Sequence, residues 1–287
     1  MAARSKITIS TLRERKRSGV KISMLTCYDC ATARIMEEAQ IDSLLVGDTY
    51  AEVCLGHDTT LPATLEHMVT IAAAVRRGSP HTYLIGDMPY LTYQVSPEDA
   101  IRSAGKFIAQ AGCDCVKVEV DWRLVKTVGA MTAATIPVMA HLGLKPQSIQ
   151  SIGGYKVQGK RAVDALRIIE DAKLMEEAGA CALLLEAVPI EVAEIITKAT
   201  ELPVIGIASG GRCDGQVLVF HDMIGYGGGH PPRSAKAYAN LHDVLIGAFR
   251  NYAQEVAGGD FPHASTCVAM ERLELEELGR MMSSGSA

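Results

Sequence analysis

The stretch Leu44-Leu45-Val46-Gly47-Asp48-Thr49 is an apolar run that stops at an acid. The form returns in YLIGDM (Tyr83 to Met88), CVKVEV (Cys115 to Val120) and ALLLEA (Ala182 to Ala187). A hydrophobic core gives no reason for such acids, because an unpaired buried charge is costly. Four more runs complete the series: KISMLTCYD from Lys21, PVMAHLG from Pro137, PVIGIAS from Pro203 and QVLVFHD from Gln216. Each is short, β-branched or Leu-rich, and continuous rather than alternating. That is the pattern of parallel strands covered on both faces.

Helical patterns fill the gaps. ATARIMEEAQ (Ala31 to Gln40) precedes a strand, and Leu65 to Gly78 ends in two arginines and glycine, a normal helix C-terminus. Ser96 is placed as an N-cap with Pro97 at the first helical position and acids behind it. A further helix is expected over about Ile9 to Arg17. Eight βα units with no linker or composition shift predict one α/β domain over residues 1–287. The expected fold is a (β/α)8 TIM barrel with its core at about 20–255, an N-terminal helix and a C-terminal helical tail. The tail, about 263–287, carries the charged helix AMERLELEELGRMM and a polar SSGSA read as disordered. That helix either packs on a neighbouring subunit or is solvated.

Composition narrows the class. The chain has 287 residues, 48% hydrophobic and 21% charged, enough for a large core. A net charge of −5 and no concentrated basic patch argue against nucleic acid. The short run Arg13-Glu14-Arg15-Lys16-Arg17 reads as a solvated or intersubunit face. No run reaches the roughly 18 apolar residues that cross a bilayer, and MAARSKITIS has no apolar signal core. A cytoplasmic protein with eight cysteine thiols is expected. Cys27 and Cys30 form a C-x-x-C, either a redox pair, half a zinc site, or a strand-end residue followed by a helix start.

In a barrel all strand C-termini share one mouth, where active sites are built. Asp48, Asp87, Glu119 and Glu186 would converge there with Lys117 and His141. A cluster of oxygen ligands favours a hard divalent cation, most simply Mg²⁺. Each acid alone could instead cap the following helix. Lys117 and Glu119, two apart, share a strand face, as a functional set or as a structural Lys–Glu pair. A cation held by two carboxylates can chelate a 2-oxo acid and stabilise an enolate. A carboxylate away from it can take the adjacent proton, and desolvation behind ALLL is expected to raise the Glu186 pKa toward a useful range.

Several stretches together carry a family resemblance: VGD at Val46, GHDTTLP at Gly56, AAVRRG at Ala73, HLGLKPQS at His141, GGYKVQGK at Gly153, PVIGI at Pro203 and CDGQVLVFHD at Cys213. The chain resembles the ketopantoate hydroxymethyltransferases from about residue 7 to 262. The resemblance implies a barrel in a homo-oligomer, often a decamer. It implies transfer of the one-carbon unit of 5,10-methylenetetrahydrofolate to 3-methyl-2-oxobutanoate, giving 2-dehydropantoate for pantothenate synthesis. It also implies Asp48 and Asp87 as Mg²⁺ ligands with Glu119 in or beside that set. Lys117 would hold the substrate carboxylate, with Asp87, Thr49 and His141 also facing the substrate and Glu186 as acid/base at C3. The folate-binding residues are not identified.

The chain departs from the family's usual pattern near the expected mouth. Thr49 stands for Ser, Tyr50-Ala51 for Leu-Gly, and Glu119-Val120-Asp121 for Glu-Gly-Gly. GIASGG (Gly206 to Gly211) replaces GIGAG, and HPPRSAK (His230 to Lys236) replaces a Lys-Phe version. These changes motivate a second reading, a relative acting on a different 2-oxo acid, which a substrate panel would separate. A lyase of the phosphoenolpyruvate mutase type shares the oxo-acid logic, but its usual cysteine-bearing loop is not evident. A non-catalytic barrel is the third reading, and a buried Lys117 and Glu186 argue against it.

Overall fold

The computed structural model describes residues 4–227, 232 and 234–284. Part of HPPRSAK and the end of SSGSA lie outside the described residues. The chain divides into two compact units, Met1–Ala239 and Asn240–Ala287.

In the first unit eight parallel strands close a barrel in sequence order. They are β1 (Ile22–Thr26), β2 (Ser43–Val46), β3 (Tyr83–Asp87), β4 (Cys115–Glu119), β5 (Val138–Gly143), β6 (Ala182–Glu186), β7 (Val204–Ile207) and β8 (Gly215–Leu218). The (β/α)8 expectation holds, although β8 ends before Phe220, which starts a short helix instead. The helices are α1 (Ile9–Ser18), α2 (Cys30–Glu38), α3 (Tyr50–Val53), α4 (Leu65–Gly78), α5 (Pro97–Ala109) and α6 (Val125–Ala133). They continue with α7 (Ile149–Ile152), α8 (Ala162–Glu177), α9 (Ile190–Ala199) and α10 (Phe220–Ile224). Caps set several starts: Thr8, Asp29, Thr64 and Ser96 each accept a backbone N–H of their helix's first turn.

Side chains alternate across each strand, so every second residue faces the barrel interior. Ile85, Cys115, Met139, Ala182 and Leu184 belong to an inner apolar cluster floored by Ile7 and Leu12. Leu84, Val116, Ala140 and Leu183 belong to the outer cluster under the helices. Two residues on from that floor, the same inward rows carry Asp87, Lys117, Glu119, His141 and Glu186. The period of two thus converts an apolar base into a charged mouth.

The basic run of α1 is not simply solvated. Arg15 Nη1 lies 2.7 Å from Asp42 Oδ2 and Lys16 Nζ 2.9 Å from Asp214 Oδ2, tying α1 to the strand beginnings. No helix among the described residues is long and apolar enough to cross a membrane.

In the second unit α11 (Leu241–Gly258) is capped by Asn240 and ends at Gly259, whose φ of 79° is left-handed. α12 (Arg272–Ser284) carries exposed pairs between Arg272 and Glu276 and between Arg280 and Glu277. The sequence reading had α11 within the core range and the tail helix a few residues earlier.

Candidate active site

Asp48, Thr49, Asp87, Lys117, His141 and Glu186 line one pocket at the strand ends. Asp48 and Thr49 follow β2, and the other four stand on β3, β4, β5 and β6. None of the four acids caps the helix after its own strand, so the bland reading of those acids fails. Asp87 and Lys117 are register partners on adjacent strands, and so are Glu119 and His141. Gly143 lets β5 leave this layer, since a Cβ there would sit 2.3 Å from the Glu186 carbonyl oxygen.

Lys117 is paired with Asp87 rather than with Glu119. Its Nζ lies 2.7 Å from Asp87 Oδ1, with both side chains almost fully buried. The contact is close but not aligned as a hydrogen bond, and Asp87 Oδ1 has no other partner. Asp87 Oδ2 accepts the Asp48 backbone N–H at 3.1 Å. Burial, then the Asp48 charge, push the Asp87 carboxyl well above its usual range against the pull of Lys117. Burial opposes the Lys117 charge, but Asp87, Asp48 and Glu119 outweigh it and raise its pKa.

Glu119, expected in or beside the metal set, is buried at the mouth with both carboxylate oxygens near one backbone N–H. Its Oε2 and Oε1 accept the Gln147 backbone N–H at 3.0 and 3.3 Å. Gln147 itself was not singled out from the sequence, although it lies inside the distinctive HLGLKPQS. It donates from Nε2 to Asp48 Oδ2 and to the Met88 carbonyl, both at 2.9 Å. Its Oε1 accepts from Tyr93 Oη at 2.8 Å. Tyr93 in turn accepts the Glu119 N–H at 3.0 Å. A buried amide offers donors and an acceptor together, so it can knit two carboxylates and a carbonyl without adding charge.

His141 Nδ1 lies 3.4 Å from Lys117 Nζ, and its Nε2 is 3.3 Å from Glu186 Oε2. Burial, reinforced by Lys117, holds the imidazole pKa well below its ordinary value, so the ring is neutral. Glu186 is raised to about 7, by burial first, with Lys117 opposing and Asp48 adding. Thr49 Oγ1 is 2.7 Å from Tyr28 Oη, a second partner the sequence reading missed. Among the departures, Thr49 borders the pocket. Asp121 points to a rim ion pair with Lys145 at 2.6 Å.

The donor set fits a divalent cation at Asp48 and Asp87. Four carboxylates face one ammonium and a neutral histidine, and Asp87 Oδ1 has a free lone pair. Among the described residues no three His, Cys, Asp or Glu side chains form a cation cage. Two carboxylates with remaining positions open to water and ligand suit Mg²⁺. Cys27 and Cys30, the C-x-x-C, belong to no such cation cage among the described residues. Both are free thiols; Cys27 is buried, its pKa pushed up to about 12 mainly by burial, and Cys30 starts α2.

A closed barrel with buried ionisable groups gathered at its C-terminal end is the architecture of a (β/α)8 enzyme. Residues 6–264 match the family model described as ketopantoate hydroxymethyltransferase. The chain belongs to the ketopantoate hydroxymethyltransferase family and is an enzyme of hydroxymethyltransferase type. A 3-methyl-2-oxobutanoate hydroxymethyltransferase of Clostridium novyi (strain NT) is 44% identical over 273 residues, 95% of this chain and 99% of its own. One of Syntrophus aciditrophicus (strain SB) is 47% identical over 257 residues, covering 90% and 94%. Among solved structures, the phosphoenolpyruvate phosphomutase of Streptomyces platensis subsp. rosaceus aligns with a TM-score of 0.61 at 12% identity, covering 97% of both chains. A 2,3-dimethylmalate lyase described as a PEP mutase/isocitrate lyase superfamily member aligns at 0.57 and 17%, covering 97% and 98%. At that identity the two structures speak for the fold alone.

Proposed function

We propose that this mouth transfers a hydroxymethyl group from 5,10-methylenetetrahydrofolate to 3-methyl-2-oxobutanoate, giving 2-dehydropantoate in pantothenate synthesis. The observation that carries this reading is the placement of Glu186 on the wall of the pocket that Asp48, Asp87, Lys117 and His141 also line, where burial raises its carboxyl to about 7. A base poised near the working pH suits removal of a proton next to a carbonyl. The names of the relatives supply the oxo acid.

Asp48 and Asp87 are the residues to hold Mg²⁺, which when bound supplies Lewis-acid polarisation of the keto group. Lys117 meets the substrate carboxylate with an ammonium already fixed by Asp87. Glu186 takes the C3 proton, and C3 bonds to the donor's methylene carbon as that carbon's bonds to the folate nitrogens break. One water supplies the hydroxyl oxygen, and the departing nitrogens take up the protons to leave tetrahydrofolate. His141, neutral and with Nε2 3.3 Å from Glu186 Oε2 but not aligned as a hydrogen bond to it, stands beside that carboxylate without competing for the proton. Gln147 fixes Asp48 and Glu119 together. The enzyme would act as a cytoplasmic homo-oligomer.

The test is the purified protein with both substrates and Mg²⁺, product followed by NMR, with an EDTA arm. Formation of 2-dehydropantoate that EDTA abolishes is expected. Folded protein that makes none with Mg²⁺ present overturns the reading. One observation favours a different 2-oxo acid: the Thr49 hydroxyl is held by Tyr28, so its added methyl is fixed beside the pocket. Better turnover of a smaller oxo acid would establish that alternative.

A further inference from the structure

Residues 147–158 form a strap with one foot on the site and the other on the residue that follows Glu186. At one foot Gln147 bonds Asp48 and Glu119. At the other the Gln158 N–H donates to the Ala187 carbonyl at 2.8 Å, one residue beyond Glu186. Between them the strap is mostly exposed. Gly153 and Gly154 hold φ of 74° and 118°, and a Cβ at either would meet only the Lys156 side chain. Such residues give a segment room to pivot.

One side-chain bond ties the middle of this strap to another part of the barrel. Tyr155 Oη donates to Glu52 Oε1 at 2.9 Å, across 103 residues. Glu52 is on α3, which starts directly after Asp48 and Thr49. The charges of Asp48 and Glu186 both reach it, adding to the burial that raises its carboxyl pKa. The Tyr155 ring is half exposed, so packing contributes little to holding it.

We propose that Tyr155 and Glu52 are positioning residues: their hydrogen bond latches the strap over the mouth and keeps bulk water from the reacting carbon. The water part of this inference rests on the function proposed above; the latch does not. A carbon that has lost its proton partitions between forward bond formation and reprotonation from solvent, and closure favours the former.

Tyr155→Phe removes one hydroxyl and keeps the ring, while Glu52→Gln keeps an acceptor oxygen. Hydrogen exchange of the strap amides is read by mass spectrometry. C3 deuteration of 3-methyl-2-oxobutanoate in D₂O is compared with hydroxymethyl transfer, both with Mg²⁺. For Tyr155→Phe we expect faster amide exchange within 149–158, and a ratio of C3 deuteration to transfer raised up to about tenfold, the worth of one hydrogen bond. Glu52→Gln should lie near the wild type in both. Unchanged amide exchange in Tyr155→Phe overturns the latch. Faster amide exchange with an unchanged ratio overturns its role in excluding water. If the wild type shows neither deuteration nor transfer, the proposed function fails, and amide exchange alone decides the latch.

Discussion

Lys117 Nζ and Asp87 Oδ1 meet at 2.7 Å inside the barrel, from register partners on adjacent strands. Neither could be buried alone. Lys117→Met removes the cation and leaves Asp87 beside Asp48 with no counter-charge. We expect a loss of about 3–5 kcal/mol in urea unfolding, as for other broken buried pairs. Added Mg²⁺ should restore part of it by binding the two freed carboxylates. No recovery at millimolar Mg²⁺ would remove Asp48 and Asp87 as the cation site.

Glu186 must be ionised to accept a proton. With its pKa raised to about 7, kcat/KM should climb tenfold per pH unit below about 7 and level above it. Glu186→Gln should lose that limb and about 10²-fold or more in turnover, while still binding the oxo acid. A pH profile of the variant that keeps the wild-type limb would assign the titration to another group.

Gln147 satisfies Asp48, Met88 and Tyr93 at once. Gln147→Leu leaves those buried groups short of partners, at about 1–3 kcal/mol for each. Tyr93→Phe, which removes one hydroxyl, should cost less. The order is checked by thermal unfolding of the two variants, and reversal of it would contradict the hub.

Glu37 tests electrostatics far from the chemistry. Burial alone would raise its carboxyl, but hydrogen bonds from Ser79, Thr82 and His81 overcome that and lower it to about 2 from 4.5. A depressed acid stabilises the fold fully above its unfolded value. That stability should therefore be present above about pH 4.5 and disappear as pH falls toward 2. Glu37→Gln should flatten this acid limb and lower stability at neutral pH by about 1–3 kcal/mol, allowing for its partial exposure. Equal acid limbs in denaturant titrations would rule the assignment out.

Ala208 occupies φ of 53°, a left-handed conformation that glycine adopts freely. It lies in GIASGG, where the resembling family more often has glycine. Ala208→Gly should raise stability by about 1 kcal/mol by releasing that strain, less what the freer unfolded chain takes back. A fall in melting temperature would show that the alanine methyl has packing worth more than the strain.

The eight strands and the convergence of their acids were legible because continuous apolar runs and short-range spacing encode them. The partner of Lys117 was not. Glu119 is two residues away in sequence, but Asp87 is its neighbour across the sheet, and cross-strand register is a tertiary fact. Gln147 and Tyr93 stayed hidden for the same reason: uncharged residues carry no signal until long-range contacts give them work. The basic run of α1 shows the reverse, since its charges suggested solvent while Arg15 and Lys16 reach the acids Asp42 and Asp214.

The two-residue repeat that sets an apolar floor beneath the charged mouth also yokes their evolution. Ile85 stands beneath Asp87, Cys115 beneath Lys117, Met139 beneath His141 and Leu184 beneath Glu186, each pair sharing one rigid stretch of strand. A methylene lost from the floor is felt one step higher as a tilted carboxylate or imidazole. Drift in the hydrophobic layer is therefore read out as drift in turnover, and a floor residue can be held constant by selection on chemistry it never touches.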